Sequence, residues 1–66
     1  METFIERLKE LRIEKKLSQA QLAKETGLTQ AAIATWEVGK RVPGALAIIA
    51  LAKYFNVSSD YLLGLE

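Results

Sequence analysis

Apolar residues recur at three- and four-residue spacing at the start of the chain: Phe4, Ile5, Leu8 and Leu11. That period lays one apolar stripe along a helix and turns Glu6, Arg7, Lys9, Glu10 and Glu14 mainly toward water. Helix-start signals then punctuate the rest. Thr3 with Glu6 and Ser18 with Gln21 have the form of capping boxes, and Thr29 and Ser58 are further candidate N-caps. Three of these caps follow an apolar residue that has an apolar partner five positions on: Leu17 with Leu22, Leu28 with Ile33, and Val57 with Leu62. This is the spacing of the hydrophobic staple, which fixes the angle at which the chain enters a helix. Gly27, Gly39 and Gly64 follow runs of helix formers, where a residue with positive φ closes the last turn, and Pro43 bars helix continuation from the loop before it. The pattern predicts helices at about 3–15, 19–26, 30–37, 45–55 and 59–63 and no strand. The expected fold class is all-α, a compact five-helix arrangement forming one domain over 1–66.

Composition narrows the functions such a bundle can have. A chain of 66 residues buries too little surface to divide between two cores, and half of its residues are apolar, which argues against disorder. There is no cysteine and no histidine, so a disulfide framework, a thiolate metal site and the commonest general base are all missing. Glu6, Glu10 and Glu14 share a helix but are interleaved with Arg7 and Lys9, the mark of a solvated ion-pair face. The expectation is therefore no enzyme activity, no cofactor, no metal and no small-molecule substrate. No apolar run reaches the roughly 18 residues of a membrane span, and METFIERLKE mixes acids with bases where a signal peptide would be basic and then apolar. A cytoplasmic protein without membrane contact is expected. The formal charge of +1 means that any basic footprint is local.

The stretch from Gln19 to Gly39 carries the most information. Gly27, Leu28 and Thr29 join the second and third helices, and so short a turn forces them to cross steeply. A small residue is needed where the backbones come closest, and Ala23 sits there, with Leu22 and Ile33 placed to fill the space between the helices. Together with LKELR at 8–12, LSQAQLAKETGLTQ at 17–30, the IxxWExGKRxP pattern from Ile33 to Pro43 and LAKYFNVSSDYLLG at 51–64, this resembles the lambda-repressor-like helix-turn-helix family of the Cro and phage-repressor type. The resemblance covers nearly the whole chain and puts the helix-turn-helix at about 18–38.

The resemblance implies sequence-specific recognition of double-stranded DNA in transcriptional control, commonly by a homodimer on a two-fold site. Carried over residue by residue, it makes Gln30, at the start of the recognition helix, a base reader, since a glutamine amide pairs bidentately with adenine N6 and N7. Ala31 and Thr35 share the base-contact role. Gln19 corresponds to a position that bonds phosphate and braces its neighbour, and Thr29, Lys40 and Arg41 are the other phosphate contacts. Arg12 and Glu37 correspond to a partly buried ion pair that ties the first helix to the end of the recognition helix. Trp36, Tyr54, Phe55 and Tyr61 read as core residues rather than base-stacking platforms.

Two stretches depart from the family pattern. Projected at 100° per residue, the third helix turns Ile33 and Trp36 inward and Ala31, Ala34, Thr35 and Val38 outward. Alanine can touch only a thymine methyl, so a reader reduced to Gln30 and Thr35 is expected to be weak or poorly discriminating. Positions 45–52 read ALAIIALA, with no polar residue. If Ile48, Leu51, Ala52 and Phe55 face the core, then Leu46, Ile49 and Ala50 lie opposite and Ala47 on the flank. Ala34, Val38, Val42, Leu46, Ala47 and Ala50 are thus a candidate self-association surface. The alternative reading is a repressor-like scaffold whose surface has been remodelled, by design or by drift, for self-association at the expense of DNA reading.

Overall fold

In the computed structural model, which describes residues 1–66, the chain forms α1 (Glu2–Glu14), α2 (Gln19–Thr26), α3 (Gln30–Glu37), α4 (Ala45–Phe55) and α5 (Ser59–Leu63), with no strand. The caps explain most of these limits. Ser18 and Gln21 close a reciprocal box, Gln21 N donating to Ser18 Oγ at 3.0 Å and Ser18 N to Gln21 Oε1 at 2.8 Å. Thr29 Oγ1 accepts from Ala32 N at 3.1 Å and Ser58 Oγ from Tyr61 N at 2.9 Å, starting α3 and α5 in the same way.

Two expectations fail at α1. Thr3 is not its cap: Met1 holds that position without a side-chain bond, and Ile5 N donates to Met1 O at 3.1 Å, so the helix starts before the Thr3–Glu6 pair can close a box. Thr3 instead packs against Gly64, where an added Cβ would lie 3.0 Å from Thr3 Cβ. With φ at +81° as well, position 64 needs glycine both for its backbone and for the close approach of α1. Arg7 is half-buried rather than turned mainly to water. Its guanidinium lies 4.1 Å from the centre of the Tyr61 ring and donates to the carbonyls of Tyr61 and Glu66, fastening α1 to α5 and the chain end.

All five helices feed one core: Phe4 and Leu8 from α1, Leu22 and Ala23 from α2, Ile33 and Trp36 from α3, Ile48, Leu51, Ala52 and Phe55 from α4, and Leu62 from α5. Trp36 meets Phe4 edge-on at 6.4 Å between ring centres, which anchors α3 to α1. Gly27, at φ +75°, turns the chain from α2 into α3, and Ala23, buried beside Leu22 and Ile33, keeps the two helices close. No helix is long and apolar enough to cross a membrane.

Candidate nucleic-acid interface

Besides the packing of Ile33 and Trp36, one buried carboxylate ties α3 to its neighbours. Glu37, only 5% exposed at the last turn of α3, receives Arg12 Nε on Oε2 at 2.8 Å and Arg12 Nη2 on Oε1 at 2.9 Å. The third guanidinium nitrogen, Nη1, donates to Leu17 O at 2.8 Å, and Gln19 Nε2 donates to Glu37 Oε1 at 3.2 Å. Three elements therefore converge on one side chain: α1 through Arg12, the first residue of α2 through Gln19, and α3 through Glu37. Burial pushes the Glu37 carboxyl up. The hydrogen bonds from Arg12 and Gln19, with the positive charges of Arg12 and Lys9, outweigh it and hold the carboxyl below its ordinary value. The hydrogen bond to Glu37 raises the Arg12 guanidinium against the opposing effect of burial, and the Glu37 charge adds to the rise.

The exposed residues of the start of α3 are uncharged, and the charges near them lie in the loop that follows. Thr29, Gln30 and Ala31 are exposed at the start of α3, and Lys40 and Arg41 are exposed in the loop that follows it. Thr29 uses its oxygen as an acceptor for the cap, which leaves its hydroxyl proton available to an outside acceptor. Gln19 is half-buried and one of its amide protons is held by Glu37, so only the remaining N–H and the carbonyl can face a ligand. Thr35 is half-buried and its hydroxyl donates to Ala32 O at 2.8 Å, a bond inside the helix that competes with any bond to a base. An open depression of about 440 Å³ brings Ala31, Ala32, Thr35 and Trp36 of α3 together with Arg41 and Val42 of the loop.

The six residues expected to form an association surface do not share one exposed face. Leu46, Val38 and Val42 are 83%, 68% and 66% exposed, but Ala34, Ala47 and Ala50 are half-buried, and Ala47 packs against the core. Ala47 is one residue from Ile48 and therefore only 100° from the centre of the buried face of α4. What stands open is a set of three branched side chains, with Ile49 bordering a separate apolar cleft of about 360 Å³ formed with Pro43, Ala45, Ile48, Ser59 and Leu63.

Residues 8–62 match the family described as helix-turn-helix. The chain belongs to the lambda-repressor-like helix-turn-helix family. Members of this family are sequence-specific DNA-binding transcription regulators rather than enzymes. Among relatives, the HTH-type transcriptional activator BcrR of Enterococcus faecalis is 40% identical over 63 residues, which is 96% of this chain and 31% of BcrR. The P22 c2 repressor, from a Salmonella phage and solved in complex with a synthetic operator, superposes with a TM-score of 0.82 at 36% identity, covering 89% of each chain. The restriction-modification controller protein C.AhdI from Aeromonas hydrophila gives a TM-score of 0.81 at 35% identity, covering 91% of each chain. The chain spans 27% to 56% of the length of the curated relatives it matches.

Within this helix-turn-helix domain, sequence reasoning missed three features. The bond from Gln19 to Glu37 has no sequence signature, because it depends on how closely the start of α2 approaches the end of α3. The use of the Thr35 hydroxyl was foreseeable, since a threonine inside a helix commonly bonds a carbonyl one turn back. The depression beside α3 depends on the path of the loop after Val38, which no periodicity records.

Proposed function

We propose that the chain is the DNA-reading unit of a transcription regulator, binding double-stranded DNA with α3 in the major groove. The observation that carries this reading is the exposed start of α3, with Gln30 and Ala31, flanked by the exposed cations Lys40 and Arg41 and held at a fixed angle by the Arg12–Glu37–Gln19 lock. Gln30 reads an adenine edge through its amide. Ala31 and the Thr35 side chain contact bases through apolar atoms, and Thr29, Gln19, Lys40 and Arg41 meet phosphates. Measured affinities for duplexes carrying every single base-pair change in a bound site test the assignment of Gln30. Gln30→Ala is expected to flatten the preference at one position per half-site, erasing about 1–3 kcal/mol of discrimination there, and to leave the others unchanged. An unchanged preference profile contradicts the assignment.

The bound form is a homodimer on a two-fold site, which doubles a small set of base contacts and so offsets the poverty of α3 in hydrogen-bonding side chains. Leu46, the most exposed large apolar residue at 83%, lies at the seam between the two copies. Leu46→Glu, which places a charge in that apolar contact, is expected to shift the protein from dimer to monomer in sedimentation equilibrium. A wild-type protein that stays monomeric at high concentration and binds DNA one copy at a time counts against this arrangement. The cytoplasm is the expected compartment for such a regulator.

A further inference from the structure

The depression beside α3 is the largest concavity of the molecule, about 440 Å³ against 360 and 250 Å³ for the other two, and Trp36 lines it and neither of the others. Trp36 is only 7% exposed, with its ring edge-on to Phe4 in the core. The indole N–H, its one polar group, is given to no atom of the chain, yet no side-chain nitrogen or oxygen shut off from solvent lacks a partner. The N–H therefore opens on the depression. Around it, Ala31 and Ala32 leave the helix side low and Val42 closes the loop side. Arg41 is the other side chain able to donate, since the Thr35 hydroxyl proton already goes to Ala32 O at 2.8 Å. Phenylalanine at position 36 would keep a ring in the core but bring no donor to the surface.

We propose that Trp36 is a DNA-contacting residue whose indole N–H, together with the Arg41 guanidinium, holds one backbone phosphate of the duplex in this depression. The inference rests on the proposed docking of α3 in the major groove and adds to it a residue that belongs to the core by its packing. A helix in that groove has a sugar–phosphate strand along each side. The depression lies on the flank of α3 that faces the loop carrying the exposed cations Lys40 and Arg41. Docking shuts the mouth of the depression and takes water from the indole N–H, so a bound surface without an acceptor there forfeits a hydrogen bond. A phosphate oxygen meets the need, because it is charged, projects from the strand and accepts from N–H groups strongly. Ala31 and Ala32 gain a role as well: longer side chains would occupy the space the phosphate takes. The contact positions the duplex without reading its sequence. A neutral indole displaces no counterion, so its contribution to affinity is independent of salt, unlike that of Arg41.

Trp36 is the only tryptophan, so a single indole N–H resonance reports on the site in the nitrogen–proton correlation spectrum of the intact protein. Titration with a duplex recovered from a randomised pool is expected to move that resonance downfield and to slow its exchange with water. Methylphosphonates, which remove the charge of one phosphate, are then placed along the strands one at a time. At one position per half-site the substitution is expected to return the indole resonance toward its free position. Trp36→Phe is expected to weaken binding about tenfold for each copy on the site, evenly across sequences, and to leave the slope of log affinity against log salt unchanged. Arg41→Ala is expected to flatten that slope by about 0.9 for each copy. The methylphosphonate that frees the indole is expected to cost Trp36→Phe less than it costs the wild type, a coupling that mere loss of packing would not produce. Circular dichroism checks the fold of Trp36→Phe, and the methylphosphonate series on the wild type decides the question if that variant is unfolded. An indole resonance that stays in place while the duplex binds, a shift that no single methylphosphonate reverses, or a Trp36→Phe loss confined to one base pair overturns the inference and leaves the DNA-binding reading standing. So does a shift that inorganic phosphate produces and the duplex does not, which assigns the depression to a free anion. A folded protein that binds no duplex overturns both.

Discussion

Arg12→Ala is expected to lower the unfolding free energy by about 3 kcal/mol at neutral pH, measured by urea denaturation. The variant leaves Glu37, 5% exposed, without its bidentate partner and with only the 3.2 Å bond from Gln19. Removing one member of a buried pair strands a charge, which costs about 3–5 kcal/mol, and the 16% exposure of the Arg12 side chain places this case at the lower end. A domain this small has a total stability of roughly 3–10 kcal/mol, so the variant is expected to be partly unfolded at body temperature. Adding Glu37→Gln to Arg12→Ala is expected to recover part of the loss, because a neutral amide leaves no charge to strand. A loss below about 1 kcal/mol, the range of an exposed ion pair, contradicts the role given to the lock.

The same carboxylate sets a pH dependence whose sign follows from its depressed native pKa. Unfolded, Glu37 titrates near its ordinary value of 4.5; folded, it titrates lower. Its contribution is therefore fully present above the unfolded value and is lost as pH falls through the native one. Wild-type melting temperature is expected to drop more steeply below pH 4.5 than that of Glu37→Gln. Parallel curves contradict the assignment.

The double substitution Lys40→Ala with Arg41→Ala is expected to weaken DNA binding about a thousandfold near 0.1 M salt, evenly across sequences. Two protomers lose four phosphate contacts between them. Each contact contributes about 0.9 to the slope of log affinity against log salt, so the slope is expected to flatten by about 3.6. The effect is large because the face has little other charge: α3 itself, Gln30–Glu37, carries only the buried Glu37. Melting should not move, both residues being exposed in a loop. A loss confined to particular base pairs would instead mean that Arg41 reads bases.

Most of the architecture was legible because the caps and staples act locally. Ser18, Thr29 and Ser58 bond backbone groups three residues ahead, and these contacts depend on almost nothing beyond the turn in which they occur. Thr3 shows the limit of that reasoning. Its box pattern matches that of Ser18, but Glu2 before it leaves it without the staple that Leu17 and Leu22 give Ser18, and the Met1 carbonyl offers the helix an earlier start. The ends of α1 and α4 fall within one residue of the expected ones, although Lys16 and Asn56, rather than glycines, take the positive φ of 58° and 55° that follows them. At the interface, the residue types along α3 were readable from its period. What they can still donate was not, because Thr35 and Gln19 commit protons to Ala32 and Glu37 only once the helices are in place. In the ALAIIALA segment the period assigned the faces, with Ile48, Leu51 and Ala52 buried and Leu46 and Ile49 exposed, but the half-burial of Ala47 and Ala50 depends on what lies beside the helix.

The central claim, that an alanine-faced recognition helix in this fold still reads DNA, is tested most directly by selecting from a randomised duplex pool at low salt and sequencing what the protein retains. Enrichment of a two-fold symmetric motif, with an adenine preference in each half-site that Gln30→Ala removes, is the predicted result. Retained sequences no different from the starting pool, from a protein shown to be folded, would contradict it.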